Sequence, residues 1–296
     1  MDTASFTLTV TRVVEETADA HSVTFALPDT DPEHFAFRPG QFLTVAVPSD
    51  QTGVAARCYS PSSSPLTAAE GLTITVKRTA DGYASNWICD HVRAGDTLRV
   101  LPPSGIFTPA SLDADLLLFG GGSGITPMLS ITRTALAQGS GRIVLFYANR
   151  DERSVIFAEE LSRLAAEHPE RLQVVHWLES VQGLPTGEQI KAFAAAYPTY
   201  DAFVCGPAPF MKLTTVALRE LEFPRERRHQ EKFVSLGGNP FGDLHDIEVA
   251  ESEIAAAETD EQDVVDPATD RGPVRLEVDL DGEQHVFDDW RPDTLM

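Results

Sequence analysis

A glycine-rich segment, FGGGSGITP from Phe119 to Pro127, carries the strongest chemical signal in this sequence. It follows a short apolar run at 115–119 and precedes a predicted helix over 126–138. Glycines let a backbone approach a phosphate closely, and a helix N-terminus offers unpaired N–H groups to an anion. The segment therefore predicts a pyrophosphate loop rather than a structural turn, with Thr126 capping the helix and Pro127 in its first turn. The residues assigned to this cofactor site are Gly120, Gly121, Gly122, Ser123, Gly124, Thr126 and Pro127.

Two segments in the first hundred residues have side chains suited to an aromatic, phosphate-bearing ligand. In the sequence RCYS, Arg57 can pair with a phosphate, Tyr59 can lie on a flat heterocycle, and the hydroxyl of Ser60 can reach the edge of that ring. The sequence KRTADGYASNW, from Lys77 to Trp87, is typical of a turn that leads into a short helix. Its glycine and serine, at positions 82 and 85, are placed for contacts to phosphate. Each segment also has a plain structural interpretation, as the end of a strand and as an ordinary Asp-Gly turn.

A fourth segment, Cys205, Gly206 and Pro207, ends a predicted strand over 201–205. A lone buried cysteine is usually a small apolar packing residue. In a parallel sheet, however, ligands bind beyond the carboxyl ends of the strands, and this cysteine stands at such an end. We therefore expect the segment to border the same ligand as the glycine loop.

The elements that position these residues fall into two patterns. The first hundred residues alternate apolar and polar side chains in short runs separated by turn signals, as in a β-barrel or sandwich. From residue 115 apolar strands alternate with helical patterns, which predicts βαβ units and a parallel sheet. The predicted strands are 6–10, 22–27, 42–47, 72–77, 97–101, 115–119, 142–148, 172–178 and 201–205, and the predicted helices are 126–138, 155–166, 188–196 and 207–221.

The end of the sequence differs from both patterns. Between Asp243 and Asp270 there are eleven acidic residues and no Lys or Arg, which is typical of a solvated linker. The runs 274–280 and 283–287 then alternate around an Asp-Gly pair, which is a strong hairpin signal. We expect four regions: a barrel at 1–110, an α/β domain at 111–236, an acidic linker at 237–273 and a hairpin at 274–296.

Charge and cysteine usage exclude several classes of protein. A net charge of −22 argues against a nucleic-acid partner, and no apolar run approaches the length of a membrane span. The first residues have no signal-peptide pattern, so a cytoplasmic location is expected. The three cysteines, Cys58, Cys89 and Cys205, are scattered, which predicts neither a disulfide framework nor a metal or iron–sulfur site.

Taken in order along the chain, these motifs resemble the ferredoxin–NADP reductase superfamily over about residues 5 to 240. Within it, the sequence is similar to oxygenase reductases such as those of 3-ketosteroid 9α-hydroxylase and phenylacetyl-CoA epoxidase systems. The resemblance implies an antiparallel Greek-key flavin-binding barrel and an α/β domain with a parallel five-stranded sheet. It also implies that 274–296 is the first hairpin of a β-grasp [2Fe–2S] ferredoxin domain whose cluster cysteines are missing from this sequence, as in a truncated protein.

The resemblance also assigns roles to residues. Arg57 would hold the FAD phosphate, Tyr59 would pack on the isoalloxazine ring, and Ser60 would hydrogen-bond near its N5 atom. The second flavin segment would use Lys77, Gly82, Ala84 and Ser85, and the motif beside the nicotinamide would use Cys205, Gly206 and Pro207. Glu231 and Phe233 match an acid and an aromatic that lie near the flavin in the family. Ser60, Cys205 and Glu231 are the expected catalytic residues.

The function implied is transfer of electrons from NAD(P)H through FAD to an iron–sulfur oxygenase or a ferredoxin. Three alternatives stay open: an oxidase or flavin reductase that uses oxygen or free flavin, a flavin- or dinucleotide-binding module without turnover, and a structural interaction protein with the acidic segment as its contact. After the second strand of the α/β domain, Arg150 or Arg153 could meet the 2′-phosphate of NADPH, whereas the acids beside them disfavour it. We expect NADH to be the preferred nucleotide.

Overall fold

Alternation of apolar and polar side chains produces a six-stranded antiparallel sheet in the first hundred residues of this computed structural model. The structure describes residues 5–28, 32–49, 52–80, 82–233, 240–242 and 252–255, and the backbone of 274–280 and 283–290. The strands are β1 (Phe6–Thr17), β2 (Ala20–Phe25), β3 (Leu43–Ser49), β4 (Gly53–Tyr59), β5 (Leu72–Lys77) and β6 (Thr97–Val100).

The strand order β4-β3-β6-β1-β2-β5 leaves β4 and β5 at the two edges of this sheet. The residues that follow β4 close it, because Pro61 bridges to Ile74 and the amide of Ser62 donates to the carbonyl of Thr73 at 2.8 Å. The sheet thus curls into the predicted barrel around an apolar core. A helix, α1 (Tyr83–His91), covers one side of it through its buried residues Ala84 and Ile88.

The second half of the chain forms a parallel five-stranded sheet of order β11-β10-β7-β8-β9, as predicted. Its strands are β7 (Leu116–Gly121), β8 (Ile143–Asn149), β9 (Leu172–Leu178), β10 (Asp201–Cys205) and β11 (Arg228–Glu231). Its helices are α2 (Ile125–Gln138), α3 (Ala158–Glu167), α4 (Glu179–Gln182), α5 (Gly187–Ala194) and α6 (Ala208–Glu220). Short 3₁₀ turns occur at Pro32–Phe35, Pro65–Glu70, Gly122–Gly124, Glu152–Ser154 and Arg225–Arg227.

Strand β7 is apolar throughout because helices cover both faces of the sheet. Leu116 and Leu118 belong to a buried cluster with α2 and α3, whereas Leu117 and Phe119 belong to one with α5 and α6. None of the described helices has the length and apolar character needed to cross a bilayer.

Two departures from the sequence prediction concern the sheets. β4 and β11 are not among the predicted strands, although each carries residues assigned to the site. Their sequences, GVAARCY and RHQE, lack a clean alternation. Each is nevertheless a strand because a neighbour supplies its hydrogen bonds: β3 pairs with all of β4, and β10 pairs with all of β11.

Residues 1–258 form one compact unit that contains both sheets, and residues 259–296 form another. In the second unit, β12 (Val274–Leu280) pairs antiparallel with β13 (Glu283–Trp290), which confirms the predicted hairpin. Its Asp281-Gly282 turn lies outside the described residues. Within the first unit, two pieces of the predicted acidic linker are described, and Phe241 and Ile254 pack beside Ala56 of β4. The predicted domain boundaries stay predictions.

Candidate functional site

The glycine-rich segment forms the turn that joins β7 to α2. Gly122 has a φ of +51°, a left-handed conformation that glycine adopts readily. Helix α2 begins at Ile125, and its N-cap is Gly124, which supplies no side-chain cap. The prediction that Thr126 caps this helix is wrong, because Thr126 lies inside the first turn and its hydroxyl donates to the carbonyl of Ser123 at 3.2 Å. The first-turn N–H groups of α2 therefore have no side-chain cap, as a phosphate site requires.

The segment from Cys205 to Pro207 packs directly on this loop. Cys205 is the register partner of Gly120 in the adjacent parallel strand. A Cβ atom added to Gly124 would lie 2.2 Å from the carbonyl oxygen of Cys205, and one added to Gly206 would lie 2.9 Å from the Cα of Gly121. The absence of side chains at these positions is what lets the two loops touch. The structure thus brings together the two motifs that the sequence predicted would border one ligand.

A cavity of about 610 Å³ opens at the carboxyl ends of the parallel strands. This volume lies within the range of small-molecule and cofactor sites. Gly121, Gly122 and Ser123 line one side of it, and Pro207 and Phe210 line another. Trp177 and Leu184 give it an apolar wall, suited to the flat face of an adenine. The cavity therefore lies where parallel sheets of this kind bind a ligand.

Charged residues from both halves of the chain line this cavity. Lys77 and Arg78, at the end of β5, and Asp19, in the turn between β1 and β2, come from the barrel, and Arg150 and Glu179 follow β8 and β9. The family resemblance assigns Lys77 to the flavin. Its Nζ would lie 3.7 Å from a Cβ built on Gly122, so the structure puts its ammonium group beside the glycine loop. The sequence analysis did not assign Asp19, Trp177 or Glu179 to the site. The only signal in the sequence for these three residues is their position near the ends of strands.

The RCYS segment ends β4. Arg57 donates from Nη1 to the carbonyl oxygen of Ala56 at 2.7 Å, and Tyr59 packs against the barrel core. Burial raises the pKa of the Tyr59 phenol, which is therefore neutral near pH 7. Ser60 is 1% exposed, and among the described residues its Oγ has no hydrogen-bond partner. A buried hydroxyl without a partner is costly, so this atom fits the edge of a flavin ring that would complete it.

The second predicted flavin segment forms the turn before α1. Gly82 precedes this helix without a side-chain cap, and a Cβ added to it would lie 2.8 Å from the Oγ of Ser85. Ser85 accepts a hydrogen bond from the amide of Thr79 at 3.3 Å, which folds the turn tightly, and Ala84 is buried behind it. The uncapped helix N-terminus is suited to the FAD pyrophosphate. Asp81 lies outside the described residues.

Helix α2 connects the glycine loop to the segment that follows Ser60. Ser130 donates to the carbonyl of Ser63 at 2.7 Å, Arg133 donates to the carbonyl of Ser62 at 2.8 Å, and the hydroxyl of Thr134 lies 2.9 Å from that of Ser64. These contacts hold the segment that follows Ser60 against the helix that begins at the glycine loop. No sequence pattern predicts them, because α2 has the pattern of an ordinary amphipathic helix.

The remaining predicted residues lie at the carboxyl ends of β10 and β11. Cys205 is fully buried, and Glu231 is its register partner on β11. Burial, reinforced by the carboxylate of Glu231, raises the pKa of the Cys205 thiol well above its ordinary value. Burial is the main reason that the pKa of Cys58 rises to about 11, and the same carboxylate of Glu231 adds to the rise, so Glu231 lies near β4 as well. Phe233 follows β11 and is 42% exposed. Cys205 is thus a neutral thiol near pH 7 and is not suited to act as a nucleophile.

Comparison with known proteins decides the family. Residues 118–215 match the oxidoreductase NAD-binding domain. The chain is 56% identical over 292 residues to the ferredoxin reductase component of 3-ketosteroid-9-alpha-monooxygenase from Rhodococcus rhodochrous, covering 99% of this chain and 78% of that protein. The chain belongs to the oxygenase reductases of the ferredoxin–NADP reductase superfamily.

Other members of this family of oxygenase reductases show the same relationship. A component of the 1,2-phenylacetyl-CoA epoxidase of Escherichia coli K12 is 36% identical, over 79% of this chain and 69% of that protein. The crystal structure of an Amycolatopsis cytochrome P450 reductase superposes with a TM-score of 0.65 at 28% identity, over 77% of this chain and 69% of the other. The protein is therefore an oxidoreductase, and NAD(P)H and FAD are the cofactors that its fold and relatives indicate.

Proposed function

We propose that this oxygenase reductase binds FAD between β4 and α1 and NADH in the cavity at the sheet edge, and passes electrons to an iron–sulfur acceptor. The observation that carries the proposal is that one helix, α2, borders both proposed cofactor sites. The loop that precedes α2 would hold the phosphates of the nucleotide, and side chains of α2 contact the segment that follows the buried, partnerless hydroxyl of Ser60. When bound, flavin takes two electrons as hydride from a nicotinamide and releases them singly.

Different residues of the chain would hold and orient each of the two cofactors. Arg57 would pair with the FAD phosphate and Tyr59 would cover the flavin ring. The hydroxyl of Ser60 would donate to the ring near N5. On the nucleotide side, Lys77 and the first-turn amides of α2 would hold the pyrophosphate. Cys205 and Thr126 would line the nicotinamide pocket and exclude water from it.

The proposed acceptor is the iron–sulfur centre of an oxygenase system of the 3-ketosteroid 9α-monooxygenase kind. The support is the naming of the relatives that share 48–56% identity with this chain. The three cysteines of the sequence, Cys58, Cys89 and Cys205, lie far apart along the chain and supply no cluster site. The proposal therefore takes the accepting centre to lie outside this sequence, and places the protein in the cytoplasm, where NADH is regenerated.

The test of the proposal is an anaerobic visible spectrum of the purified protein before and after one equivalent of NADH. A flavin spectrum that bleaches is the expected result. A bound flavin that stays oxidised with both NADH and NADPH would contradict a reductase and favour the non-catalytic binding module. Addition of two equivalents of an oxidised [2Fe–2S] ferredoxin to the bleached protein should restore the flavin spectrum, because each cluster accepts one of the two electrons. Return of colour only with oxygen or free flavin would favour the oxidase alternative.

A separate prediction concerns retention of FAD. Replacement of Arg57 by alanine should weaken FAD binding about tenfold or more, because a charge-assisted contact to a phosphate would be lost. The measurement is the ratio of flavin to protein absorbance after dialysis, followed by titration with FAD. Arg99→Ala is the matched control, since Arg99 lies on the same barrel but contacts Phe241, through its carbonyl at 3.0 Å and its ring. Full FAD content in the Arg57 variant would show that this arginine does not hold the phosphate.

A further inference from the structure

An ion pair links the barrel to the α/β sheet at the edge of the dinucleotide cavity. Asp19, in the turn between β1 and β2, places Oδ2 2.6 Å from Nη2 of Arg150 and 3.7 Å from Nζ of Lys77. All three residues line the cavity. The other carboxylate oxygen, Oδ1, accepts a hydrogen bond from the hydroxyl of Thr17 at 2.8 Å, and the backbone carbonyl of Asp19 accepts one from the amide of Arg78 at 2.7 Å. The carboxylate is therefore fixed in place before any ligand arrives.

The carboxyl group of Asp19 is ionised near neutral pH. Burial by itself would raise the pKa of this carboxyl group, but the hydrogen bond from Thr17 and the cations of Lys77 and Arg150 together hold its pKa below the ordinary value. Its side chain is 25% exposed, whereas that of Arg150 is 65% exposed. Asp19 is thus the more rigidly held partner of the pair, and Arg150 is the more exposed, longer side chain that reaches it.

Arg150 occupies a special position among the charges of the cavity. It follows β8, and among the described residues that line the cavity it is the one cation contributed by the α/β sheet. Its carbonyl accepts a hydrogen bond from the amide of Ser180 at 2.8 Å, which ties the loop after β8 to the loop after β9. Glu179, beside Ser180, is among the residues that line the same cavity. In dinucleotide-binding sheets, an arginine at this edge accommodates the 2′-phosphate of NADP, whereas an acid suits the 2′-hydroxyl of NAD.

We propose that Asp19 is a specificity-determining residue that favours NADH over NADPH by keeping the guanidinium of Arg150 engaged. This inference rests on the proposed function, in which the cavity holds the dinucleotide. A 2′-phosphate has to compete with Asp19 for the guanidinium of Arg150, and it would lie beside the carboxylate of Asp19, which repels it. A 2′-hydroxyl needs no cation and meets no such repulsion. The barrel thereby controls a nucleotide preference that is usually decided within the α/β domain.

The test compares two ligands that differ only at the 2′ position, adenosine 5′-monophosphate and adenosine 2′,5′-bisphosphate, on the FAD-loaded full chain. Their dissociation constants are measured by calorimetry for the wild type and for Asp19→Asn. Release of Arg150 should tighten binding of the bisphosphate about tenfold relative to the monophosphate. The ratio of kcat/KM for NADPH to that for NADH should rise by a similar factor. Any effect of freeing Lys77 on a shared phosphate cancels in both ratios.

Two further variants separate the proposed cause from a general change of charge. Addition of Arg150→Gln to Asp19→Asn should abolish the gain, because the released guanidinium is its source. Glu167→Gln is the matched control, since it removes one negative charge from an exposed pair with Arg163 on α3, and it should produce no gain. An unchanged ligand ratio in Asp19→Asn, with both ligands still bound, would overturn the role of Asp19 alone. Failure of both ligands to bind the wild type would overturn the nucleotide assignment of the cavity itself.

Discussion

Replacement of Ser60 by alanine should slow the reduction of bound flavin by NADH about a hundredfold while the protein stays loaded with FAD. The hydroxyl of Ser60 is buried, and its oxygen has no partner among the described residues. In the proposed function its O–H would donate to the flavin near N5, the atom at which a bound flavin would receive hydride. Loss of one donor aimed at a reacting centre typically costs about a hundredfold or more in rate. Anaerobic stopped-flow absorbance near the flavin maximum measures this step directly.

The control for this variant is Ser62→Ala, two residues along the same segment. Ser62 is also buried, but its hydroxyl lies 2.9 Å from that of Thr75, so its loss should lower stability rather than the rate of flavin reduction. The FAD-free protein offers a second readout. Because the Ser60 hydroxyl has no partner there among the described residues, Ser60→Ala should not lower the free energy of unfolding of the apoprotein. Wild-type reduction rates in a flavin-loaded Ser60→Ala variant would show that this hydroxyl plays no part in the transfer.

Replacement of Gly124 by alanine should weaken NADH binding at least about tenfold and lower the free energy of unfolding by about 1–3 kcal/mol. The added Cβ would lie 2.2 Å from the carbonyl oxygen and 2.4 Å from the carbonyl carbon of Cys205, and 2.7 Å from the amide nitrogen of Gly206. These neighbours are backbone atoms at the end of β10, which pairs with strands on both sides, so they cannot swing aside as a flexible side chain would. The glycine loop and the end of β10 would have to separate, which opens the proposed nicotinamide pocket.

Gly120→Ala is a control from the same loop. A Cβ at Gly120 would meet its nearest neighbour, a ring atom of Tyr147, at 3.5 Å, which is an ordinary van der Waals distance. We therefore expect it to cost much less than Gly124→Ala in both the KM for NADH and the midpoint of thermal unfolding. Equal losses in the two variants would mean that the loop tolerates no side chain at all, and that the close approach to Cys205 is not the decisive feature.

Local sequence patterns are sufficient to predict the two kinds of sheet and most of their strands. A period of two residues with frequent turns indicates the barrel, and the alternation of apolar strands with helices indicates the parallel sheet. The glycines of the loop after β7 are equally informative, because a left-handed φ and close backbone packing are properties of the residue itself. These features depend on neighbours along the chain, and for that reason a single sequence reveals them.

The polar contacts of the site, in contrast, depend on how the chain folds in three dimensions. The ion pair between Asp19 and Arg150 joins residues that are 131 positions apart in the sequence. Neither residue lies in a sequence motif that predicts its contact with the other. Strand β11 forms because the edge of β10 supplies its backbone hydrogen bonds. Its polar sequence alone does not predict a strand. The partnerless hydroxyl of Ser60 likewise depends on packing from several elements at once. Such contacts are set by the topology that brings distant segments together, and local periodicity carries no information about them.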